Sequence, residues 1–206
     1  MKKKIVILGS TGSIGSTLLK IIKKDKEKFS IEILVINKNY RKLINQIKTF
    51  KVKNVIIINK NSFEITKKIL KNKDINIYNN YKSFKKILKN KKIDYTMSAI
   101  AGLEGLKPTL DIIKFTKTIA IANKESIICG WHLIKKNLKK YNTNFIPTDS
   151  EHFSILSLID NDKSDSIEKI YITASGGPFL NVPFKDFKNI KPKEALKHPN
   201  WSMGKK

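Results

Sequence analysis

Two repeating patterns of hydrophobic positions alternate along the first 147 residues. Short apolar runs predict buried strands, and apolar residues three or four positions apart predict amphipathic helices. The runs that predict strands are residues 4–8, 31–36, 55–58, 75–78, 93–100, 118–122 and 144–146. The stretches that predict helices are residues 14–22, 40–50, 63–70, 84–88, 106–115 and 126–139. Strands that alternate with helices indicate right-handed crossovers, so we predict a doubly wound α/β domain with a parallel sheet.

The pattern changes after Pro147, where we predict that a second domain begins and covers residues 148–206. A helix is predicted over residues 153–159 and a strand over 167–173, and the following residues are rich in glycine and proline. Trp201 lies among these loop residues, and we interpret the segment around it as a lid over bound ligand. No predicted strand or helix holds the chain near Lys206, so we expect that more chain follows.

The chain is strongly basic, but its charge does not point to nucleic acid. The 206 residues contain 42 Lys and Arg against 17 Asp and Glu, a formal net charge of +25, and Arg41 is the single arginine. Arginine is the preferred residue for bidentate contacts with guanine and phosphate. The lysines are spread among Asn and Ile, which share A/T-rich codons with lysine. We therefore interpret them as a solvated surface, and keep a basic nucleic-acid-binding module as the alternative, which predicts steeply salt-dependent binding.

Several classes of protein are excluded by simple features of the sequence. No apolar run approaches the roughly 20 residues of a membrane span. The apolar run before Gly9 is too short for the core of a signal peptide, so we expect a cytoplasmic protein. Cys129 is the single cysteine, which excludes an internal disulfide and a Cys-rich zinc site. Its apolar surroundings predict a core position, which argues against a semialdehyde dehydrogenase with a nucleophilic cysteine.

A glycine-rich turn follows the first predicted strand. Gly9, Gly12 and Gly15 are spaced as G-x-x-G-x-x-G, and the turn opens the first predicted helix. Glycine allows backbone amides to approach a pyrophosphate at the helix amino terminus. After the second strand, residues 37–39 read Asn-Lys-Asn, without the carboxylate that usually binds the ribose hydroxyl of NAD. The two features predict a Rossmann-type domain that binds NADPH.

Two further clusters of polar residues follow predicted strands. If residues 149–151 are extended, Asp149 and Glu151 face the same side and could bind Mg²⁺ or Mn²⁺. The alternative is that Asp149 or Ser150 caps a helix. Lys124, after another strand, could neutralise a substrate oxyanion or phosphate, and the alternative is an ordinary first helical turn.

Five segments resemble the 1-deoxy-D-xylulose 5-phosphate reductoisomerase family. They are residues 9–15, 122–126, 147–152, 173–179 and 197–204, which read GSTGSIG, ANKES, PTDSEH, TASGGPF and KHPNWSMG. They occur in the family's order and spacing, and from the first to the last they span nearly the whole chain. The resemblance implies NADPH- and metal-dependent rearrangement and reduction of 1-deoxy-D-xylulose 5-phosphate to 2-C-methyl-D-erythritol 4-phosphate, in non-mevalonate isoprenoid biosynthesis. It also implies a homodimer for the full-length enzyme and favours metal binding over capping at residues 149–151.

The resemblance also implies roles for individual residues. NADPH contacts would come from Thr11, Gly12, Ser13, Ile14, Asn37, Lys38, Asn39, Asn123, Glu125 and Gly204. Asp149 and Glu151 would bind the metal, and together with Lys124 would form the catalytic centre. Contacts with the sugar-phosphate substrate would come from Lys124, Ser150, Glu151, Ser175 and His198.

Members of the family are much longer than this chain. Their third metal carboxylate, an Asn-Lys pair on the substrate and a helical C-terminal domain have no counterpart before Lys206. We therefore expect an N-terminal portion of a reductoisomerase, comprising the NADPH-binding domain and the first part of an α+β catalytic domain. By itself it should bind NADPH weakly and turn over poorly. The alternative is a remnant that binds NADPH without catalysis.

Overall fold

The chain divides into two compact units. The structure, a computed structural model, describes residues 1–89, 91–159, 167–172, 177–197 and 199. The first unit is Met1–Leu156 and the second is Ser157–Lys206. The domain boundary after Pro147 stays a prediction. Among the helices of the described residues, none has the length and apolar character of a membrane span.

The first unit contains a seven-stranded sheet in which all the paired strands run parallel. Its strands are β1 (Lys3–Leu8), β2 (Phe29–Ile36), β3 (Asn54–Ile57), β4 (Asn76–Tyr78), β5 (Ile93–Ser98), β6 (Thr116–Ile121) and β7 (Asn144–Pro147). Their order in the sheet is β4-β3-β2-β1-β5-β6-β7. This order confirms the predicted doubly wound α/β fold.

Helices connect consecutive strands at the predicted places. They are α1 (Ser13–Lys24), α2 (Tyr40–Phe50), α3 (Lys60–Ile69), α4 (Ser83–Leu88), α5 (Leu106–Ile113) and α6 (Lys124–Tyr141). After the last strand come α7 (Ser150–Ile159), which includes the predicted helix, and α8 (Pro192–Ala195), which the sequence pattern did not predict. The buried residues of α6 lie four apart, at Ser126, Gly130, Ile134 and Leu138. Cys129 falls outside this stripe and is exposed, so its predicted core position is wrong.

The core lies in two layers, one on each face of the sheet. Ile5 and Ile7 of β1 join the layer that packs against α1 and α2. Val6 and Leu8 join the layer on the opposite face. Because helices cover both faces, successive residues of a central strand are all buried, and this is why the strands read as continuous apolar runs.

Asp94 joins three strands near the amino-terminal edge of the sheet. Its carboxylate accepts a 2.8 Å hydrogen bond from the backbone N–H of Lys4 and forms a 2.8 Å ion pair with Lys117. The hydrogen bond from Lys117, helped by that from Lys4, lowers the pKa of Asp94 below its ordinary value. The charged carboxylate therefore stabilises the contacts between β1, β5 and β6.

The described part of the second unit contains short helical turns. Gly177–Phe179 and Phe184–Asn189 are 3₁₀ turns, and Phe187 contacts the rings of both Phe179 and Phe184. The strand predicted over 167–173 is wrong for residues 167–172, which do not form a strand. A strand needs a hydrogen-bonded neighbour, and none pairs with this segment in the described part of the chain.

Candidate active site

The carboxyl ends of the parallel strands share one edge of the sheet. The segments at residues 9–15, 37–39, 123–125 and 149–151 directly follow β1, β2, β6 and β7, so the fold brings all four to this edge. β1 lies between β2 and β5, where the strand order reverses direction. Ligands of doubly wound sheets bind at such a switch point. The glycine turn therefore occupies the most favoured position for a cofactor.

The glycine turn packs tightly against its neighbours. The backbone N–H groups of Gly9 and Ser10 both donate to the carbonyl of Val35, at 2.9 and 3.0 Å. Gly9 has φ +85°, and a Cβ there would lie 2.6 Å from the carbonyl oxygen of Ala99. A Cβ on Gly15 would overlap the carbonyl oxygen of Gly9. Glycine is therefore required at both positions for the turn to fit beside β2 and β5.

The amino terminus of α1 is open. Its N-cap residue, Gly12, makes no side-chain capping bond, and its first turn contains no acidic residue. By contrast, α2, α3 and α6 are each capped by an asparagine side chain, from Asn39, Asn59 and Asn123. The first N–H groups of a helix need partners, and together with the helix dipole they form a site for an anion. Gly12 and the two residues after it are exposed, so a phosphate can reach these groups.

Residues 37–39 lie exposed at the end of β2. The carbonyl of Lys38 accepts a 2.8 Å hydrogen bond from the Ser62 hydroxyl, which fixes the backbone while the lysine side chain stays in solvent. A second cation lies beside the glycine turn: Lys42 Nζ donates to the carbonyl of Thr11 at 2.9 Å. Sequence reasoning missed Lys42, since one lysine among so many carries no signal.

Asn123 is buried after β6, with 3% of its surface exposed. Its amide nitrogen donates to the carbonyls of Ile100 and Gly102, and its oxygen accepts from the Ser126 N–H at 2.9 Å. The side chain therefore joins the loop after β5 to the start of α6. Lys124 is exposed and Glu125 is half-buried.

Asp149 lies at the amino terminus of α7. Its Oδ1 accepts a 2.9 Å hydrogen bond from the backbone N–H of His152 and lies 2.6 Å from Nδ1 of the same residue. Burial alone would raise the pKa of Asp149, but the hydrogen bonds from His152 outweigh it and lower that pKa. The extended geometry considered for residues 149–151 is wrong, because the chain is helical from Ser150, and the Asp149 side chain caps this helix.

The described residues do not complete a metal site. They contain no group of three or more His, Cys, Asp or Glu placed to hold an ion. Asp149 and Glu151 have the hard oxygen donors that Mg²⁺ prefers, but two carboxylates supply only part of its shell. Ser175, His198 and Gly204 lie outside the described residues, so the roles implied for them stay predictions.

Sequence reasoning also missed Gln46, a polar residue on the buried face of α2. It lies between the buried Leu43 and Ile47, and 8% of its surface is exposed. Ser10 Oγ donates to Gln46 Oε1 at 2.8 Å, and Gln46 Nε2 donates to the Ser10 carbonyl at 2.9 Å. The available signal was a polar residue at an apolar position of the helical pattern.

Two family models match the chain. The model of 1-deoxy-D-xylulose 5-phosphate reductoisomerase matches residues 5–130, which is more than half of the chain. The chain belongs to this family. The model of the reductoisomerase C-terminal domain matches residues 145–206. The resemblance drawn from the sequence motifs is thus confirmed.

Individual reductoisomerases agree with this membership. The enzyme of Pelagibacter ubique is 69% identical over 99% of this chain and 53% of its own length. The enzyme of a Sulfurihydrogenibium strain is 42% identical over 98% of this chain and 51% of its own length. The Zymomonas mobilis reductoisomerase solved with NADPH aligns at TM-score 0.87 and 30% identity, over 97% of this chain and 52% of its own. Another, solved with NADPH, fosmidomycin and magnesium, aligns at TM-score 0.81 and 31% identity, over 98% and 52%. The chain therefore spans about half the length of the reductoisomerases it matches.

Proposed function

We propose that this chain contributes the NADPH-binding site and two metal carboxylates of a 1-deoxy-D-xylulose 5-phosphate reductoisomerase. The reaction is the NADPH-dependent rearrangement and reduction of this sugar phosphate to 2-C-methyl-D-erythritol 4-phosphate, a step of isoprenoid biosynthesis. The observation that carries the proposal is the open amino terminus of α1 at the switch point of the sheet. Magnesium and NADPH appear in the solved relatives, whereas manganese, the homodimer and the cytoplasmic location stay predictions.

Some residues of the chain would bind the cofactor, and others would bind the substrate and the metal. The N–H groups of Ser13 and Ile14 would bind the pyrophosphate, and Gly12, which has no side chain, would let it approach them. The positive charge of Lys38 would favour the 2′-phosphate of NADPH over the bare ribose of NADH. The remaining cofactor contacts are proposed for Thr11, Asn37, Asn39, Asn123, Glu125 and Gly204. The inward-facing Asn123 side chain indicates that it acts through the loop it holds.

At the substrate end, Lys124 would face a phosphate or oxyanion, and its exposure at the carboxyl edge leaves the ammonium group available. Family membership, and not an extended backbone at residues 149–151, supports Asp149 and Glu151 as two oxygen ligands of a divalent cation. When bound, the cation stabilises negative charge on substrate oxygens, and NADPH supplies the hydride. Ser150, Ser175 and His198 are proposed as further substrate contacts.

Binding of NADPH by the 206-residue chain, followed by the fluorescence of the nicotinamide, tests this proposal. We expect NADPH to bind more tightly than NADH. Gly12→Ala should weaken NADPH binding by about tenfold or more, because a methyl group would stand at the open helix terminus. The new Cβ would lie 3.3 Å from the Gly9 carbonyl oxygen, a tight contact with the backbone, so the free energy of unfolding of this variant is measured together with its binding.

Lys38→Ala examines the part of the cofactor site where the 2′-phosphate would bind. We expect it to weaken NADPH binding by about tenfold and to leave NADH binding unchanged, because it removes a charge that only the 2′-phosphate uses. Lys60→Ala is the matched control, since Lys60 is another exposed lysine after a strand of the same sheet. Equal affinity for NADPH and NADH, or an equal effect of the two lysine substitutions, would contradict the proposal. Oxidation of NADPH that depends on added 1-deoxy-D-xylulose 5-phosphate and Mg²⁺ would show that the chain also performs the chemistry.

A further inference from the structure

The buried pair Ser10 and Gln46 has no place in the reaction described so far. Ser10 has none of its surface exposed, and Gln46 is buried among apolar residues of α2. A buried carboxamide is costly unless its polar atoms are hydrogen-bonded. Here the amide oxygen accepts from the Ser10 hydroxyl and the amide nitrogen donates to the Ser10 carbonyl. One residue of the glycine turn thus satisfies both ends of the carboxamide.

The pair gives the glycine turn a second attachment, in addition to its hydrogen bonds with β2. The N–H groups of Gly9 and Ser10 already bind the Val35 carbonyl, so the turn is fixed between a strand and a helix. Within the turn, the Gly12 N–H donates to the Gly9 carbonyl at 3.1 Å. The position of Gly12, and with it the open terminus of α1, therefore depends on how Ser10 is held.

Helix α2 also reaches the other predicted end of the cofactor site. It begins directly after residues 37–39, and Asn39 accepts a 3.1 Å hydrogen bond from the Lys42 N–H in its first turn. The same helix therefore contacts the pyrophosphate end through Gln46 and starts at the adenosine end. A rigid helix between two binding segments fixes their separation.

We propose that Gln46 is a positioning residue, which holds the glycine turn in the shape that presents the amino terminus of α1 to a dinucleotide phosphate. Its consequence for binding rests on the proposed NADPH function, whereas its effect on the turn does not. Gln46 does not need to touch the cofactor, because it acts through Ser10.

Amide hydrogen exchange of the unliganded chain tests the effect on the turn. Gln46→Met keeps the volume and removes both hydrogen bonds, and Ser10→Ala removes one of them. The Gly12 N–H donates to the Gly9 carbonyl, and the Ser16 N–H donates to the Gly12 carbonyl at 3.0 Å, so both amides report on the turn. We expect their exchange to become about tenfold faster in Gln46→Met and to change less in Ser10→Ala. Ile47→Ala is the control, because Ile47 is buried on the same helix and lies beside Gln46. Exchange that is unchanged in Gln46→Met, or equally accelerated in Ile47→Ala, would overturn the proposal.

The dissociation constant of NADPH, measured where each variant is folded, tests the consequence. We expect it to rise about tenfold in Gln46→Met and less than about twofold in Ile47→Ala. Faster exchange with an unchanged dissociation constant would overturn the positioning role. If the unsubstituted chain does not bind NADPH, the proposed function fails, and the exchange measurement still decides whether Gln46 holds the turn.

Discussion

Two junctions at the carboxyl edge of the sheet share one topology but differ in how their helix begins. At the β1–α1 junction the helix terminus has no side-chain cap, and the residues that begin it are exposed. At the β6–α6 junction the Asn123 side chain caps the helix and binds two carbonyls of the loop after β5. The first junction leaves its helix terminus without a side-chain partner, whereas the second uses its polar groups to fix neighbouring backbone. Position at the carboxyl edge therefore does not by itself decide which residues touch a ligand.

The largest effect should come from the packing of the β1–α1 junction. Gly15→Ala places a Cβ against the backbone of Gly9 and Ser10, which cannot move without breaking the turn. We expect a loss of about 3 kcal/mol in the free energy of unfolding, measured with urea. Gly12→Ala, one turn earlier, should lose less than about 1 kcal/mol. Similar losses for the two variants would mean that the tight packing at Gly15 does not stabilise the junction.

The β6–α6 junction should lose stability through its side chain. Asn123→Ala removes the cap of α6 and leaves the Ile100 and Gly102 carbonyls without this donor. We expect the free energy of unfolding to fall by about 2–3 kcal/mol. Asn59→Ala, which removes only the cap of α3, should cost about 1 kcal/mol. Equal costs would show that the contacts with the loop after β5 add nothing to the cap.

The smallest effect should come from Asp94, near the opposite edge of the sheet. Its pKa is lowered in the folded state, so its contribution to stability is complete above its ordinary value of 3.8 and is lost as the pH falls through the lower folded pKa. Asp94→Asn should therefore lower the melting temperature by about 2–4 °C at pH 7.

The difference in melting temperature between Asp94→Asn and the unsubstituted chain should disappear in acid. Asp74→Asn serves as the control, because the Lys53–Asp74 ion pair is exposed, and it should shift the melting temperature by less than about 1 °C. A difference between Asp94→Asn and the unsubstituted chain that grows as the pH falls would contradict the sign of the pKa shift. Neither substitution should change NADPH binding, since both lie away from the two junctions.

The alternation of strands and helices was readable in the sequence because each element follows a local period. Helix α2 was predicted at its observed bounds, Tyr40–Phe50, since its apolar residues form one clear stripe. The strand predicted over 167–173 was wrong over residues 167–172, because apolar residues describe the propensity of a segment and not whether a neighbour pairs with it.

For the site, the sequence by itself determined which residue types follow each strand, including the glycine turn and the missing carboxylate after β2. It also determined the family, through motifs that a model of the reductoisomerases matches. Only the tertiary structure decided that Asn123 faces inward, that Asp149 caps α7, and that Gln46 holds Ser10. These contacts join residues from different elements or depend on local helix geometry. A hydrogen bond needs a direction and a distance, which the order of residues along a chain does not specify.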